Sequence, residues 1–255
     1  MTEPAGVTVR LRDVGKTFDN GTPALDALTF DVAAGEFVSL LGPSGCGKST
    51  ALRIIAGLSE ASAGAVERDD GVAQGPTGFV FQDPTLMPWA SVAANVALPF
   101  KLRNAYGEAA RAAVTRALAR VGLSDFAEAY PRQLSGGMRM RASIARAMVT
   151  EPSLLLMDEP FAALDEITRF KLNHEMLTLW QEVRRTVIFV THSVFESVFL
   201  SQRILVMTPR PGRVFAEIDI PAAYPRDDRF RTSAEYAGYC RQVSEALAQA
   251  MRGTP

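Results

Sequence analysis

The feature that most constrains how this chain can fold is a glycine-rich loop between a short apolar run and a helical pattern. The loop comprises Gly42-Pro43-Ser44-Gly45-Cys46-Gly47-Lys48-Ser49. Residues 37–41 predict a buried strand before it, and residues 49–56 predict a helix after it. In that setting the glycines let successive backbone N–H groups point at one anion, and the helix adds its positive end. We therefore predict a phosphate-binding loop, with an ordinary glycine-rich turn as the alternative.

Composition and charge limit the class of protein that contains this loop. Of the 255 residues, 47% are hydrophobic, which is enough for a large core without disulfides. The two cysteines, Cys46 and Cys240, form no metal-ligand or disulfide pattern, so we expect a reduced, cytosolic setting. Lys and Arg (27) nearly balance Asp and Glu (28), which argues against a nucleic-acid partner. No apolar run reaches the roughly 20 residues that span a bilayer, so a role at a membrane requires a partner.

The order of predicted elements indicates an α/β fold. Residues 8–14 and 27–32 alternate apolar and polar side chains around turn signals, which is typical of antiparallel strands. Further strands are predicted at residues 78–81, 154–157, 187–191 and 204–207, and further helices at residues 107–121, 136–149, 166–183, 193–200 and 234–251. Strands that alternate with helices favour a parallel sheet covered on both faces. The alanine-rich helical stretch after residue 88 interrupts this alternation and predicts an inserted lobe.

One predicted strand ends in two acids. The run Leu154-Leu155-Leu156-Met157 leads directly into Asp158 and Glu159. Buried carboxylates are costly unless a cation lies beside them. Next to a phosphate loop, Asp158 and the Ser49 hydroxyl are expected to ligate Mg²⁺, and Lys48 to bridge the β and γ phosphates. Glu159 is then the candidate for polarising the attacking water, unless the strand simply ends in two solvated acids.

A second glycine-bearing string narrows this prediction to one family. Leu134-Ser135-Gly136-Gly137-Met138 opens a helix ahead of Asp158. With Gln82, Ala163-Leu164-Asp165 and His192, it resembles the motif set of ATP-binding-cassette (ABC) ATPases, in that family's order, over roughly residues 8–213. The resemblance implies a P-loop NTPase (RecA-like) core with a parallel sheet, an N-terminal antiparallel β-subdomain and an inserted α-helical subdomain. We expect one ABC ATPase domain over residues 1–255, with its core at about 1–88 and 151–255 and its helical subdomain at about 89–150.

The resemblance also implies that two copies of the chain build each site together. The Ser135 turn would bind the γ-phosphate of ATP held by the other copy of a homodimer, and Asp165 would cross the interface. Gln82 would contact the Mg²⁺ and the water, while His192 would hydrogen-bond the γ-phosphate and hold Glu159 in place. Taken alone, the Ser135 string is equally typical of a helix N-cap with flexible glycines, and His192 of a surface residue.

Phe18 occupies the position where the family places an aromatic ring, usually Tyr, against adenine, with a core Phe as the alternative. Met138 departs from the family, which commonly has Gln there. The predicted catalytic residues are Lys48, Gln82, Glu159 and His192, and the predicted metal ligands are Ser49, Gln82 and Asp158. The residues expected to hold ATP are Phe18, Gly42, Pro43, Ser44, Gly45, Cys46, Gly47, Lys48, Ser49, Thr50, Ser135, Gly136, Gly137 and Asp165.

The segment after Gln82 suggests a membrane partner. Residues 83–89 are proline-fixed and partly apolar, and in the family this surface receives a cytoplasmic helix of an integral membrane permease. Met87 and Trp89 are the docking candidates, unless they fill the core of the lobe. Met87-Pro88-Trp89, Asn95-Val96-Ala97-Leu98-Pro99 and Arg210-Pro211-Gly212-Arg213 look like importer ATPases for nitrate, alkanesulfonates or taurine. That implies a site at the cytoplasmic face of the inner membrane and, indirectly, an extracytoplasmic solute-binding protein.

Three alternatives stand beside the importer hypothesis. A soluble ABC-superfamily ATPase acting on nucleic acid or ribosomes fits poorly with near-neutral charge, a single cassette and no basic arm. A binding module with degenerate catalysis fits poorly because Lys48, Asp158, Glu159 and His192 are all present. An exporter subunit is disfavoured only by the resemblance. The transported solute is not predicted, since such an ATPase does not touch it.

Overall fold

The computed structural model describes residues 7–69 and 76–253, so the predicted core range 1–88 includes residues outside the described part. The strands are β1 (Val7–Thr17), β2 (Pro23–Ala33), β3 (Phe37–Leu41), β4 (Ala63–Arg68), β5 (Thr77–Val80), β6 (Leu154–Asp158), β7 (Thr186–Thr191), β8 (Arg203–Met207) and β9 (Val214–Asp219). The helices are α1 (Lys48–Ile55), α2 (Val92–Val96), α3 (Leu98–Leu102), α4 (Glu108–Arg120), α5 (Gly136–Met148), α6 (Glu166–Val183), α7 (Val194–Leu200), α8 (Asp228–Arg231) and α9 (Ala234–Met251). Across the described residues, none of these helices has both the length and the apolar character to cross a membrane.

The larger sheet has six strands in the order β5-β6-β7-β3-β8-β9. The first five run parallel, and β9 pairs with β8 antiparallel. Every residue of β3, β6 and β7 is buried, as expected for strands covered on both faces. This confirms the predicted α/β class with a mainly parallel sheet. Because the carboxyl ends of β6, β7 and β3 are neighbours, the segments that follow these strands meet at one edge.

The smaller sheet is antiparallel, in the order β2-β1-β4. Its inner face is apolar. Leu11, Leu28 and Val32 are fully buried in one apolar cluster with residues of β3 and α1. The two strands predicted from alternation are β1 and β2, each longer than expected. Strand β4 was not predicted, because Gly64 interrupts it and its side chains are mostly exposed. Without an inward apolar pattern, these residues do not predict a strand.

Helices α2 to α5 cover one end of the larger sheet and share an apolar cluster that includes Val96, Leu118 and Leu123. Helix α5 has a second face, where Met140 and Ile144 pack into the cluster beneath the sheet. It therefore contacts both the helical group and the sheet. Helices α2 and α3 are five residues each, and their shortness explains why periodicity alone did not reveal them.

The C-terminal region packs on the same face of the larger sheet as Met140 and Ile144. Tyr236 and Val243 of α9 are buried in the main apolar cluster, and the Tyr236 hydroxyl donates to the Phe195 carbonyl at 3.0 Å. Arg226, before α8, is 1% exposed, and its guanidinium donates to the backbone carbonyls of residues 198, 199, 201, 220 and 222. Carbonyl oxygens thus compensate the two terminal nitrogens of a buried cation without a carboxylate. Helix α9 confirms the helix predicted over residues 234–251 and packs against the core.

Candidate functional site

The phosphate loop (residues 42–49) connects β3 to α1 and takes its shape from its glycines. Gly45 and Gly47 have φ values of +75° and +105°, in the left-handed region that favours glycine. At Gly47, the N-cap of α1, a Cβ atom would lie 2.6 Å from Leu25 Cδ2 and 2.7 Å from the Ala24 carbonyl oxygen. Both the backbone angle and the close approach therefore require glycine here.

A second loop, which we call the brace loop (residues 208–213, between β8 and β9), holds the phosphate loop from one side. Arg210 Nε donates to the Gly45 carbonyl at 3.0 Å. A Cβ atom on Gly212 would overlap the Cys46 carbonyl oxygen, so the two backbones touch. The conformation of the phosphate loop thus depends on contacts from a distant part of the chain.

The Lys48 side chain folds back into the phosphate loop and is only 3% exposed. Its Nζ donates to the Gly42 carbonyl at 2.7 Å and to the Pro43 carbonyl at 3.0 Å, and lies 3.8 Å from Glu159 Oε1. These oxygens compensate the buried ammonium. An incoming phosphate can take their place as its partner, since a lysine ammonium has three donors.

Ser49 and Asp158 form the second part of the site. Ser49 Oγ donates to Asp158 Oδ1 at 2.7 Å, and Asp158 is 6% exposed. Burial raises the pKa of the Asp158 carboxyl, the hydrogen bond from Ser49 lowers it, and the charge on Glu159 raises it again. A divalent cation next to this pair would favour the ionised carboxylate. A hydroxyl beside a buried carboxylate suits Mg²⁺, which takes few protein oxygens and completes its shell with water and phosphate.

Glu159 lies between Lys48 and His192. Its backbone has a φ of +45°, and its N–H donates to the Val190 carbonyl at 3.0 Å, which attaches it to β7. One carboxylate oxygen, Oε1, lies 3.8 Å from Lys48 Nζ, and the other, Oε2, lies 3.3 Å from His192 Nδ1. A carboxylate held between an ammonium and an imidazole at a partly open edge can orient and polarise a water molecule.

Two further predicted residues, Gln82 and Phe18, have no hydrogen bond or ion pair to this cluster among the described residues. Gln82 is exposed and follows β5, the strand that pairs with β6, so it leaves the sheet at the same edge as Asp158. Phe18 is 42% exposed, with Lys16 Nζ 5.9 Å from its ring centroid. The alternative that Phe18 fills the core is therefore wrong. Its ring is available for stacking against a planar ligand.

The Ser135 turn (residues 134–138) lies elsewhere in the chain's fold. Ser135 is exposed and caps α5, with its Oγ accepting from the Met138 N–H at 3.3 Å. At Gly137 a Cβ atom would lie 2.7 Å from Thr168 Cγ2, so this glycine allows close packing on α6. Within the described part of the chain, no hydrogen bond or ion pair joins this turn to the phosphate loop.

Asp165 is exposed and caps α6, accepting from the Thr168 N–H at 2.9 Å. That backbone bond, strengthened by the Thr168 hydroxyl, lowers the pKa of the Asp165 carboxyl. The predicted site residues therefore fall into two groups. Those from residues 42–49, 158–159 and 192 converge at one edge of the sheet, whereas Ser135 and Asp165 are exposed at the starts of α5 and α6.

Sequence reasoning missed several residues that shape this site. The string Arg210 to Arg213 was noted only as a subfamily resemblance, although it forms the brace against the phosphate loop. No role is predicted for Arg169 and Glu196, although they connect the turn before Asp165 to the segment around His192. No local pattern marks such residues, since their partners are distant in sequence.

This arrangement defines a phosphate-loop ATPase of the α/β class, and comparison places it in a family. Residues 25–162 match the ABC transporter family, to which the chain belongs. It is 46% identical over 200 residues to a taurine import ATP-binding protein of Rhizobium johnstonii, covering 77% of this chain and 76% of that protein. It is also 46% identical over 209 residues to an aliphatic sulfonates import ATP-binding protein of Pseudomonas syringae pv. tomato, covering 82% and 86%.

Solved structures of similar proteins have the same fold. A dimeric ATP-binding cassette in a post-hydrolysis state, bound to ADP and Pi, superposes with a TM-score of 0.72 at 34% identity, over 84% of this chain and all of that one. A cassette from Clostridium perfringens that is part of an ABC transporter complex superposes with a TM-score of 0.74 at 27% identity, over 86% and 90%. The predicted family, fold class and ABC ATPase activity are thus confirmed.

Proposed function

We propose that this chain is the ATP-hydrolysing subunit of an importer for a small sulfonate-type solute, such as taurine or an alkanesulfonate, with nitrate as a related candidate. One observation carries the proposal: Lys48, Ser49, Asp158, Glu159 and His192 gather at the carboxyl ends of three neighbouring strands. Relatives 39–46% identical to the chain are taurine and aliphatic sulfonate import ATP-binding proteins, which supports the choice of solute class.

In this proposal the triphosphate lies on the phosphate loop, where it takes Lys48 from its carbonyl partners. Glu159 polarises the water that attacks the γ-phosphorus, and His192 fixes the carboxylate from its other side. Phe18 stacks on adenine, and Thr50 in the first turn of α1 lies beside the phosphates. Ser49, Asp158 and Gln82 would hold Mg²⁺, which supplies charge stabilisation for the transferred phosphoryl group.

The complete site needs two copies of the chain. Residues 135–137 form the start of α5, where Ser135 is exposed and Gly136 half-buried, and a helix start is a favourable place for an anion. Their separation from the phosphate loop of the same chain leaves that anion to a second copy. Asp165, exposed at the start of α6, is placed to approach the opposite site. Homodimerisation is also supported by the dimeric cassette that this chain resembles.

We assign permease docking to the surface beside Gln82. Trp89 is 77% exposed, which argues against a role in the core of the lobe. Thr85, four residues before Trp89, lines a groove of about 430 Å³ that is open to solvent and whose apolar lining includes Phe79, Phe81 and Leu102. Arg146 of α5 donates to the carbonyls of Pro84 and Thr85 at 2.9 and 2.8 Å, so this surface is tied to the helix that begins at Ser135. Movement of a docked helix can thereby reach the nucleotide site.

The remaining assignments follow from this docking. The core at about residues 1–88 and 151–255 would carry the nucleotide, and the lobe at about 89–150 would carry the permease contact. The chain would lie peripherally at the cytoplasmic face of the inner membrane. An extracytoplasmic solute-binding protein would deliver the solute and act on the ATPase only through the permease.

The test of this function uses the purified full-length chain and Glu159→Gln. We expect Mg²⁺-dependent ATP hydrolysis by the natural protein. In the variant, steady-state hydrolysis should fall at least about 100-fold, roughly 2.7 kcal/mol in barrier, while ATP binding persists and closed dimers accumulate in light scattering. Undiminished turnover would remove Glu159 from the role of general base. A variant that binds ATP but stays monomeric would contradict the shared site.

The importer assignment has its own test. Co-expression with the permease encoded nearest to this chain should give a membrane-bound complex whose ATPase rate rises with a loaded solute-binding protein. Taurine, alkanesulfonates and nitrate are compared as the solute. If none of them stimulates hydrolysis, or if the complex transports the solute outward, the importer class is wrong and an exporter is favoured. Copurification with ribosomes or nucleic acid instead of membranes would favour the soluble alternative.

A further inference from the structure

The turn that precedes α6 and the loop that carries His192 are connected through one arginine. Arg169 Nη2 donates to the Leu164 carbonyl at 3.0 Å and to the Ala162 carbonyl at 3.5 Å, so it holds the turn at residues 162–165. Its Nε lies 3.7 Å from Glu196 Oε1. The guanidinium thus contacts the backbone of the turn on one side and a carboxylate of α7 on the other.

Glu196 continues this connection to the histidine. Its side chain is buried, and its Oε2 accepts from Thr191 Oγ1 at 2.5 Å. Thr191 Oγ1 in turn accepts from the Ser193 N–H at 3.0 Å. Thr191 and Ser193 are the two chain neighbours of His192. A shift of the Glu196 carboxylate therefore moves the backbone on both sides of the imidazole.

The charge balance makes this connection sensitive to small movements. Burial raises the pKa of the Glu196 carboxyl, against the hydrogen bond from Thr191 and the charges of Arg169 and His192. Glu196 Oε1 and Arg169 Nε lack hydrogen-bond partners among the described residues, although they lie only 3.7 Å apart. An unmade bond between buried charged groups is costly. A displacement of less than 1 Å would close it.

The two ends of the connection are the parts that face outward. Asp165 is exposed at the end of the turn, and the His192 side chain is 48% exposed beside Glu159. The groups between them, Arg169 and Glu196, are 27% and 8% exposed. A contact made on the outer surface of the turn therefore has a largely buried polar route to the imidazole.

We propose that Arg169 and Glu196 are positioning residues that transmit engagement of the 162–165 turn by a second copy of the chain to His192, which sets the imidazole against Glu159. The inference rests on the proposed homodimer. It assigns to each chain a device that keeps hydrolysis low until the partner is docked. Neither residue touches the nucleotide.

The test compares Arg169→Met, Arg169→Lys and Glu196→Gln in the full-length protein. We expect kcat to fall about tenfold in Arg169→Met and Glu196→Gln, as for one lost charge-assisted contact, while the affinity of the monomer for a fluorescent ATP analogue changes less than about twofold. Arg169→Lys retains a donor and should recover part of kcat. Arg203→Lys is the control: Arg203 pairs with Glu36 at 2.8 Å with similar burial, but at the opposite end of the sheet. It should leave kcat unchanged.

Coupling to the histidine is tested in a second background. In His192→Ala the residual rate should not fall further when Arg169→Met is added, because the route ends at the missing imidazole. A further tenfold loss would show that Arg169 acts elsewhere. Equal losses of kcat and nucleotide affinity, accompanied by a lower melting temperature, would reduce the pair to a structural role.

The failure of this inference is separable from failure of the proposed function. The Glu159→Gln dimer reports whether two copies close on ATP at all. If closed dimers form and Arg169→Met hydrolyses ATP at the natural rate, the proposed function stands and the positioning role is wrong. If closed dimers do not form in Glu159→Gln, the premise of a second copy is wrong and the inference falls with it.

Discussion

The phosphate loop and the Ser135 turn use the same physical device and yet are built differently. Both present backbone N–H groups at a helix start. The phosphate loop is held from within its own chain, by the brace loop and by the close approach of Gly47 to β2. The Ser135 turn has its capping bond, while its outer surface is exposed. In the proposed homodimer, one chain therefore preorganises half of the site and presents the other half to a second copy.

The largest effect is expected at the braced half. Lys48→Ala removes the buried ammonium that compensates the triphosphate charge, so ATP affinity should fall at least about 100-fold, roughly 2.7 kcal/mol, and hydrolysis should vanish. Equilibrium binding of a fluorescent ATP analogue to the monomer measures this. Retained affinity would mean that the loop alone binds ATP, and the contrast between the two halves would lose its basis.

The Ser135 turn should respond differently. Ser135→Asp preserves a good N-cap but places a negative charge against the partner's γ-phosphate, so kcat should fall about 100-fold, close to 3 kcal/mol, with monomer affinity for ATP unchanged. Ser135→Asn is the matched control, since it caps equally well without the charge. Steady-state hydrolysis and monomer binding are measured in parallel. Equal losses in both variants would show that the added negative charge is not the cause, and would contradict a γ-phosphate contact at this turn.

The brace loop offers an intermediate effect. Gly212→Ala places a Cβ atom against the Cys46 carbonyl and must displace the phosphate loop, so ATP affinity should fall about tenfold. Gly238→Ala, where nothing lies within 4 Å, is the control and should bind ATP normally. If Gly212→Ala binds ATP as tightly as the natural protein, the loop is preorganised by its own glycines and needs no brace.

The smallest effect concerns the Asp158 carboxylate. Burial raises the pKa of the Asp158 carboxyl, so folding favours its protonated form. Stability is therefore lost as the pH rises from the pKa of the unfolded state through the higher pKa of the folded state. Without Mg²⁺ at neutral pH, Asp158→Asn should therefore raise the melting temperature, by about 2–4 °C for each kcal/mol of relieved burial cost. Calorimetry in EDTA tests this. An unchanged or lower melting temperature would show that Ser49 and Lys48 already compensate the charge.

The elements that the sequence predicts correctly are those determined by residues close together in the chain. The strands β3, β6 and β7 are mostly apolar and fully buried. The phosphate loop is specified by Gly45 and Gly47, whose positive φ values favour glycine. Family resemblance added the Ser135 turn and His192. These predictions depended on neighbours in the chain or on motif order.

The missed parts have causes that are distant in sequence. Arg210 braces Gly45 across 165 residues, and Glu196 meets Arg169 only after α6 and α7 have packed. An exposed strand such as β4 has no inward apolar face to reveal it. Tertiary contacts of this kind follow from the packing of the whole sheet, and residue patterns do not encode them separately.

The Asn95 amide has a mechanical consequence for the surface around Trp89. It is fully buried and accepts from the Met87 N–H at 2.7 Å, and its NH2 group shares two hydrogens among the carbonyl oxygens of Met87, Ala90 and Ser91, each 3.1 Å away. These hydrogen bonds from one side chain hold the backbone around Trp89 in a single conformation. A segment that is already rigid loses little conformational entropy when a partner binds it. A rigid segment also transmits the displacement of a bound partner to the rest of the protein with little deformation of its own.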